Sequence, residues 1–227
     1  MKTLSCLFGL TLLPLSAEPP SKPIEPTRPL PVEGAKPVLT MDELTLKRIV
    51  EGTVSHLKEL GLALFEFDTQ YSSYPSNETA KTVKESTDTK LSLNTATSND
   101  YFRQLLASGI ATNEKIFQIG SPEKVADNVS NTDESALAKG ECNFTYVLGS
   151  SSADHPTRPL VLGPLVPGQM KFDPVPLGGQ AVILFVDNSV RTSPISPTGD
   201  VMINGKNVFD PTQPFWNGKK PEVIWPK

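Results

Sequence analysis

Histidine and cysteine, the side chains most often used for nucleophilic catalysis and zinc binding, are scarce in this sequence, with two of each among 227 residues. A hydrolytic triad needs a histidine oriented beside a hydroxyl or thiol. His155, in the segment 152–156, is the only candidate outside the strongest helical pattern, but neighbours in sequence do not face one another. One thiol and two distant imidazoles form no zinc-ligand set. We therefore predict no catalytic residues, no metal ligands and no cofactor, and a protein that is not an enzyme.

A second set of polar residues has the chemistry of calcium ligands. Asp187, Asn188 and Asp200 offer the hard oxygen atoms that calcium takes. All three stand where turns are expected, so we interpret them as turn residues, with a calcium site near Asp187 as the alternative. Gly178-Gly179 is not a phosphate-binding or dinucleotide-binding motif, because it precedes a predicted strand rather than a helix.

The charge balance argues against a nucleic-acid partner. The chain carries 21 basic and 25 acidic side chains, a net charge of −4. Binding to the phosphate backbone normally depends on a basic patch that displaces counterions. We therefore expect protein partners rather than DNA or RNA.

The N-terminus has the anatomy of a secretory signal peptide. Lys2 supplies the positive charge, an apolar run extends from Leu4 to Leu15, and small residues end at Ala17. This run is too short for a membrane-spanning helix, which needs about 20 apolar residues. We expect residues 1–17 to be cleaved, leaving no membrane span in the mature chain. The mature protein is then predicted in the periplasm, on the outer-membrane surface or outside the cell.

Cleavage of the signal peptide would leave Cys142 as the single cysteine of the mature chain. No intramolecular disulfide could then form, whatever the redox compartment. Cys142 lies beside a predicted strand. We interpret it as a small buried hydrophobic residue, with a reactive thiol as the alternative.

Residues 18–40 are predicted to form a linker. They hold seven prolines, at positions 19, 20, 23, 26, 29, 31 and 37. Proline lacks a backbone donor and favours the extended polyproline II conformation. We expect a semi-rigid spacer that holds one domain, residues 41–227, away from whatever the N-terminus faces.

The strongest periodic pattern begins at Thr40. Thr40 and Glu43 fit a capping box at a helix N-terminus, and apolar residues then recur at three- and four-residue steps. The pattern predicts one helix over residues 41–71, about 45 Å long at 1.5 Å per residue. A helix of that length exceeds one small domain, so its N-terminal half should project and expose apolar side chains. The predicted partner-binding residues are Leu46, Ile49 and Val50.

The later sequence changes from helical to strand periodicity. Residues 72–99 are rich in Ser, Thr and Asn and are predicted to form a loop, followed by a short helix over 100–108. Alternation and apolar runs then predict strands joined by hairpins. The predicted strands are 144–147, 159–162, 180–186 and 189–192, with a further hairpin over 201–208. The expected fold is α+β, with the long helix packed across a four- or five-stranded antiparallel sheet.

Two of these segments carry a family resemblance. Residues 57–64 read Leu-Lys-Glu-Leu-Gly-Leu-Ala-Leu, and residues 71–75 read Tyr-Ser-Ser-Tyr-Pro. Together they resemble the passage from helix to loop in bacterial type IV pilin-like proteins and type II secretion pseudopilins. Residues 181–190 look like the Asp-Gly-Ser-Val hairpin of that family, with Asn188 in the position of the glycine.

Two further segments extend this resemblance. Residues 101–106 and 114–117 are similar to a region of large groups of pilin-like paralogues, so that the likeness covers about residues 42–195. It implies a pilin-like fold for the domain. The sequence departs from the family at the N-terminus, where the predicted signal peptide and proline spacer replace the family's apolar half-helix.

The resemblance implies a non-catalytic secreted protein that acts through contacts with other envelope proteins, in a pilus-like or secretion-related assembly. Because the apolar half-helix is replaced, we expect a monomer or small oligomer that docks onto envelope, pilus or secretion proteins without forming a filament itself. The alternatives are a secreted module that binds a ligand or host molecule, and an enzyme of unknown class.

Overall fold

The computed structural model describes residues 41–227. The predicted signal peptide, residues 1–17, and the predicted linker, residues 18–40, lie outside the described residues. The described part is α+β, as predicted, with three α-helices and a five-stranded antiparallel sheet. Helix α1 spans Met41–Tyr71, α2 spans Asn77–Thr87 and α3 spans Ser98–Ala107. Within residues 41–227, no helix is both long enough and apolar enough to cross a membrane.

The sheet comes from the second half of the chain. Its strands are β1 (Thr145–Val147), β2 (Pro159–Gly163), β3 (Gln180–Phe185), β4 (Val190–Pro194) and β7 (Val223–Ile224). They lie in the order β4-β3-β2-β1-β7, and each neighbouring pair is antiparallel. A separate hairpin pairs β5 (Met202–Ile203) with β6 (Lys206–Asn207). The predicted strands are confirmed to within a few residues, whereas β7 was not predicted.

Helix α1 has the bounds that the sequence predicts. Its apolar stripe contacts β3, β4 and a 3₁₀ helix at Glu114–Phe117. The fully buried members of the stripe are Leu57, Leu60, Leu64 and Phe67. Burying a side chain of this size contributes about 1.5–3 kcal/mol, so the stripe is the main attachment of the helix to the sheet.

Helix α2 corrects the prediction of a loop over residues 72–99. Ser76 caps it: its hydroxyl accepts hydrogen bonds from the N–H groups of Glu78 and Thr79, and its own N–H donates to Thr79 Oγ1 at 2.7 Å. The buried apolar face of α2 is only Ala80 and Val83. With so narrow a face, the hydrophobic periodicity that reveals most helices is too weak to detect.

Helix α3 begins two residues earlier than predicted, because its N-cap is Thr97. The Thr97 N–H donates to Asp100 Oδ2 at 3.0 Å, and Thr97 Oγ1 accepts from the Asp100 N–H. This reciprocal pair satisfies two donors at the helix start. Phe102, Leu105 and Leu106 form the buried apolar face of the helix.

Apolar side chains cover both faces of the sheet. Along β3, Val182 and Leu184 join one core with the helices, whereas the alternate residues join a second core on the opposite face. This alternation follows from the two-residue period of a strand. The second core is closed by the C-terminal aromatic segment, including Phe215 and Trp216.

The turn between β3 and β4 lies directly against α1. Asn188 in this turn has φ 62°, as expected for a tight hairpin. A Cβ atom at Gly61 of α1 would lie 1.9 Å from Asn188 Oδ1 and 2.9 Å from Leu184 Cδ1. Glycine at position 61 therefore allows helix and sheet to approach to this distance.

Replacing Gly61 with alanine is expected to lower the free energy of unfolding by about 1–3 kcal/mol, because the added methyl group overpacks the contact with Asn188. The matched control is Gly52→Ala in the same helix, where an added Cβ meets only Gly120 Cα at 3.5 Å. This control is expected to stabilise by about 0.5–1 kcal/mol through helix propensity. Urea unfolding followed by circular dichroism measures both, and stabilisation by both variants would contradict the close approach.

Candidate functional site

The residues singled out for nucleophilic chemistry are not arranged as a triad. His155 is exposed, and its Nδ1 lies 3.0 Å from Thr157 Oγ1. Asp154 pairs with Arg158 at 3.7 Å, and Ser152 Oγ donates to Asp68 Oδ2 at 2.6 Å. Each group therefore has a partner other than the neighbour that a triad would need.

The second histidine has a structural contact. His56 Nδ1 lies 2.7 Å from the carbonyl oxygen of Gln118, and since a carbonyl only accepts, Nδ1 carries the proton and donates. Thr53, one turn earlier in α1, accepts from the Gly120 N–H at 2.9 Å and donates to Ile49 O at 2.7 Å. These bonds fasten the N-terminal half of α1 to residues 118–120.

Two of the alternative calcium ligands, Asp187 and Asp200, have hydrogen-bond donors of their own, whereas Asn188 Oδ1 is buried without a hydrogen-bond partner among the described residues. Asp187 accepts hydrogen bonds from the backbone and hydroxyl of Ser189 in the turn between β3 and β4. Asp200 instead accepts from Lys171 Nζ at 2.6 Å and from other side chains beside the β5–β6 hairpin. Such hydrogen bonds are typical of turn and loop residues, which agrees with the interpretation of Asp187 and Asp200 from the sequence.

The predicted partner-binding residues do not project from the domain. Leu46, Ile49 and Val50 are half-buried, and Ile49 and Val50 pack against the core shared with the helices. A Cβ atom at Gly178 would lie 2.3 Å from Leu46 Cδ2, so Leu46 lies on that loop. The expected projection of this half of the helix is therefore wrong, because loops extend the surface beneath it. A role of these residues in partner binding stays a prediction.

Two other apolar side chains of α1 are far more exposed. Leu62 has 62% of its surface accessible and Phe65 has 55%, one helical turn apart. A shallow groove of about 250 Å³ adjoins Leu62 and is lined by residues of α1 and of the loop 110–116. Neither residue was predicted from the sequence as a binding residue. Both residues lie outside the buried face of Leu57, Leu60 and Leu64, and this position in the helical pattern could have revealed their exposure.

Three carboxylates lie close together near the start of the 3₁₀ helix Glu114–Phe117. Glu114 begins this helix, Asp127 lies in the following loop and Glu141 precedes β1. One oxygen from each lies within 4.8 Å of the others. Glu114 and Glu141 are 1% and 0% exposed, whereas Asp127 is exposed. No local motif joins these positions, so the sequence analysis missed the cluster.

Backbone donors fix one oxygen of each buried glutamate. Glu114 Oε1 accepts from the Leu137 N–H and Glu141 Oε2 accepts from the Ala138 N–H, both at 2.8 Å. Glu114 Oε2 is buried and has no hydrogen-bond partner. Glu141 Oε1 accepts no well-aligned hydrogen bond but forms an ion pair with Lys124 Nζ at 2.9 Å.

This environment disfavours a negative charge on Glu114. Burial raises the pKa of the Glu114 carboxyl above its usual range, and the charges of Glu141 and Asp127 raise it further. The hydrogen bond from the Leu137 N–H acts in the opposite direction. The cluster therefore favours a positive species that can neutralise it, either a proton or a cation.

Cys142 is buried, which confirms the interpretation of this residue as a small hydrophobic side chain. Its Sγ lies 3.6 Å from the carbonyl oxygen of Phe144 and 3.7 Å from Ser98 Oγ. Burial raises the pKa of the Cys142 thiol to about 11. The nucleophilic thiolate is therefore suppressed near neutral pH.

Comparisons with known proteins give no family for this chain. No protein-family model matches it, no curated protein matches its sequence, and no solved structure matches its fold. The resemblance to pilin-like proteins and pseudopilins therefore stays a prediction from the sequence.

Cys142 is expected to resist labelling by a thiol reagent in the native protein. In a Cys6→Ser chain, so that Cys142 is the only thiol, labelling with 5,5′-dithiobis(2-nitrobenzoic acid) at pH 8 should be at least about 100-fold slower than in 6 M guanidinium chloride. The reason is burial combined with the raised pKa. Equally fast labelling of the native chain would support the reactive-thiol alternative.

Proposed function

We propose that this protein is a non-catalytic secreted component of the cell envelope, with a domain of pilin or pseudopilin type that acts through protein–protein contacts. The observation that carries the proposal is the exposure of Leu62 and Phe65 on one surface of α1. Single exposed apolar residues are common on soluble proteins. An aromatic and an aliphatic side chain exposed together beside a groove are instead typical of a binding surface.

The surroundings of this pair indicate the chemistry of the partner. Glu59 and Glu66 line the groove beside Leu62, together with Ile110 and Ile116 of the neighbouring segment. A complementary surface would present apolar side chains flanked by lysine or arginine, because rim charges steer association and select partners. We infer a partner protein of the envelope with such a surface.

The arrangement of elements supports the pilin-like part of the proposal. A 31-residue N-terminal helix packs across an antiparallel sheet, and the sequence 57–64 that carries the resemblance lies where α1 meets the β3–β4 turn. The turn at Asn188 has the backbone conformation that glycine adopts readily. Asn188 therefore replaces glycine in the resembling motif without a change of turn geometry.

A ligand-binding module is the second candidate, because the domain also contains a larger apolar pocket. The pocket has a volume of about 460 Å³, and its lining includes Ile119, Pro164, Leu165, Val175 and Pro176. This volume is within the range of small-molecule sites. It is open at Val175, the most exposed of the large apolar side chains of the described residues.

Leu62→Asp is expected to weaken capture of the envelope partner at least about tenfold, since a charge would replace the central apolar contact. The melting temperature should change by no more than about 2 °C, because Leu62 contributes little to the core. The measurement is quantitative mass spectrometry of proteins captured from envelope extract. Met202→Asp, at a side chain of similar exposure on the β5–β6 hairpin, is the matched control and should capture normally.

Capture that survives Leu62→Asp but is lost with Val175→Asp would contradict the proposal and favour the ligand-binding candidate. Val175→Asp alters the apolar pocket without changing α1. The two variants therefore distinguish the two candidate functions on the same extract.

The mature chain, residues 18–227, is expected to stay a monomer or small oligomer at micromolar concentration without detergent. A surface of two apolar side chains is far smaller than the area that a stable assembly of identical subunits buries. Light scattering gives the mass and negative-stain microscopy the shape. Filaments built by this protein alone would contradict docking onto other proteins and favour the polymerising type of pilin.

A further inference from the structure

The carboxylate cluster of Glu114, Asp127 and Glu141 carries more negative charge than its neighbours offset. Lys124 pairs with Glu141 and compensates one of the three charges when all are ionised. Two negative charges then remain, one on buried Glu114 and one on exposed Asp127. Uncompensated charge in a buried position is strongly unfavourable, so the cluster is suited to one divalent cation.

An independent observation points to the same place. Glu114 is only 1% exposed, and its Oε2 atom has no hydrogen-bond partner among the described residues. Most buried polar atoms in native proteins are satisfied, and an exception calls for an ion, a water molecule or a functional reason. The Leu137 N–H holds the other oxygen, so the carboxylate is fixed with one oxygen free.

We propose that Glu114, Asp127 and Glu141 bind one calcium ion. Carboxylate oxygens are the hard ligands that Ca²⁺ and Mg²⁺ take in proteins, whereas zinc sites use mainly nitrogen and sulfur. The site is distinct from the residues Asp187, Asn188 and Asp200 considered from the sequence alone.

The ligand geometry favours calcium over magnesium. One oxygen of each carboxylate lies within 4.8 Å of the others, close enough for the three to share one ion. Ca²⁺ accepts irregular arrangements of oxygen ligands, whereas Mg²⁺ demands near-ideal octahedral geometry and keeps several of its waters. Because the backbone N–H groups of Leu137 and Ala138 fix the two buried glutamates, the cluster suits calcium better than magnesium.

The bound ion would join three loops. Glu141 and Glu114 are fixed to residues 137–138 by backbone donors, and the Glu114 N–H donates to Asn128 Oδ1 at 2.8 Å, next to Asp127. Asp127 is the exposed ligand and offers the path of entry. Binding to the folded state alone raises stability by mass action, so calcium should raise the melting temperature.

The test is calorimetric titration and thermal unfolding of the full chain at pH 7.5. One saturable calcium site is expected, with a rise in melting temperature of about 3–6 °C in 10 mM CaCl₂ relative to NaCl of equal ionic strength. The rise in 10 mM MgCl₂ should be less than half as large. Asp127→Asn should abolish the calcium effect while the protein stays folded, because Asp127 is exposed.

Glu123→Gln is the matched control, since Glu123 is an exposed acidic residue of the same loop outside the cluster. This variant should keep the full calcium response. A response that is absent in the unmodified chain, or equal in Asp127→Asn and Glu123→Gln, would overturn the proposal. Glu114→Gln is a second variant that tests the site. It should abolish calcium binding, and binding that persists would also overturn the proposal.

Discussion

The approach of α1 to the turn between β3 and β4 sets the position of almost everything else in the domain. Gly61 lacks the Cβ atom that would collide with Asn188 Oδ1. The buried stripe of the helix can then reach the sheet and form the first core. A larger residue at position 61 would have to displace the side chains of Asn188 and Leu184 or move α1 away from the turn, because packed interiors tolerate little added volume.

A second close approach fixes the other half of α1. A Cβ atom at Gly120 would lie 2.3 Å from Ile49 O, and the hydrogen bonds of Thr53 and His56 reach the same segment. The helix is thus held at two close approaches that require glycine, Gly61 of α1 against the β3–β4 turn and Gly120 of a loop against Ile49 O. This explains why its N-terminal half is half-buried although the length of the helix suggested projection.

The parts of the fold that follow from local patterns were predicted, and those that depend on distant parts of the chain were not. The bounds of α1 followed from the periodicity of its apolar residues, and the strand β3 from its apolar run. Helix α2 and strand β7 have too few apolar residues to give a pattern. The Glu114–Asp127–Glu141 cluster depends on the paths of three loops, and no spacing rule brings such residues together.

The pairing of β7 with β1 has a consequence for how the protein reaches its folded state. The Ser98 N–H at the start of α3 donates to Trp225 O at 3.0 Å, and Tyr146 of β1 pairs with Ile224. Contacts between residues so distant in sequence form slowly, because a long loop must close first. The sheet and the hydrogen bond between α3 and Trp225 therefore cannot form until residues 223–225 have been synthesised. A chain of this topology therefore stays partly open until nearly all of the described residues have been synthesised.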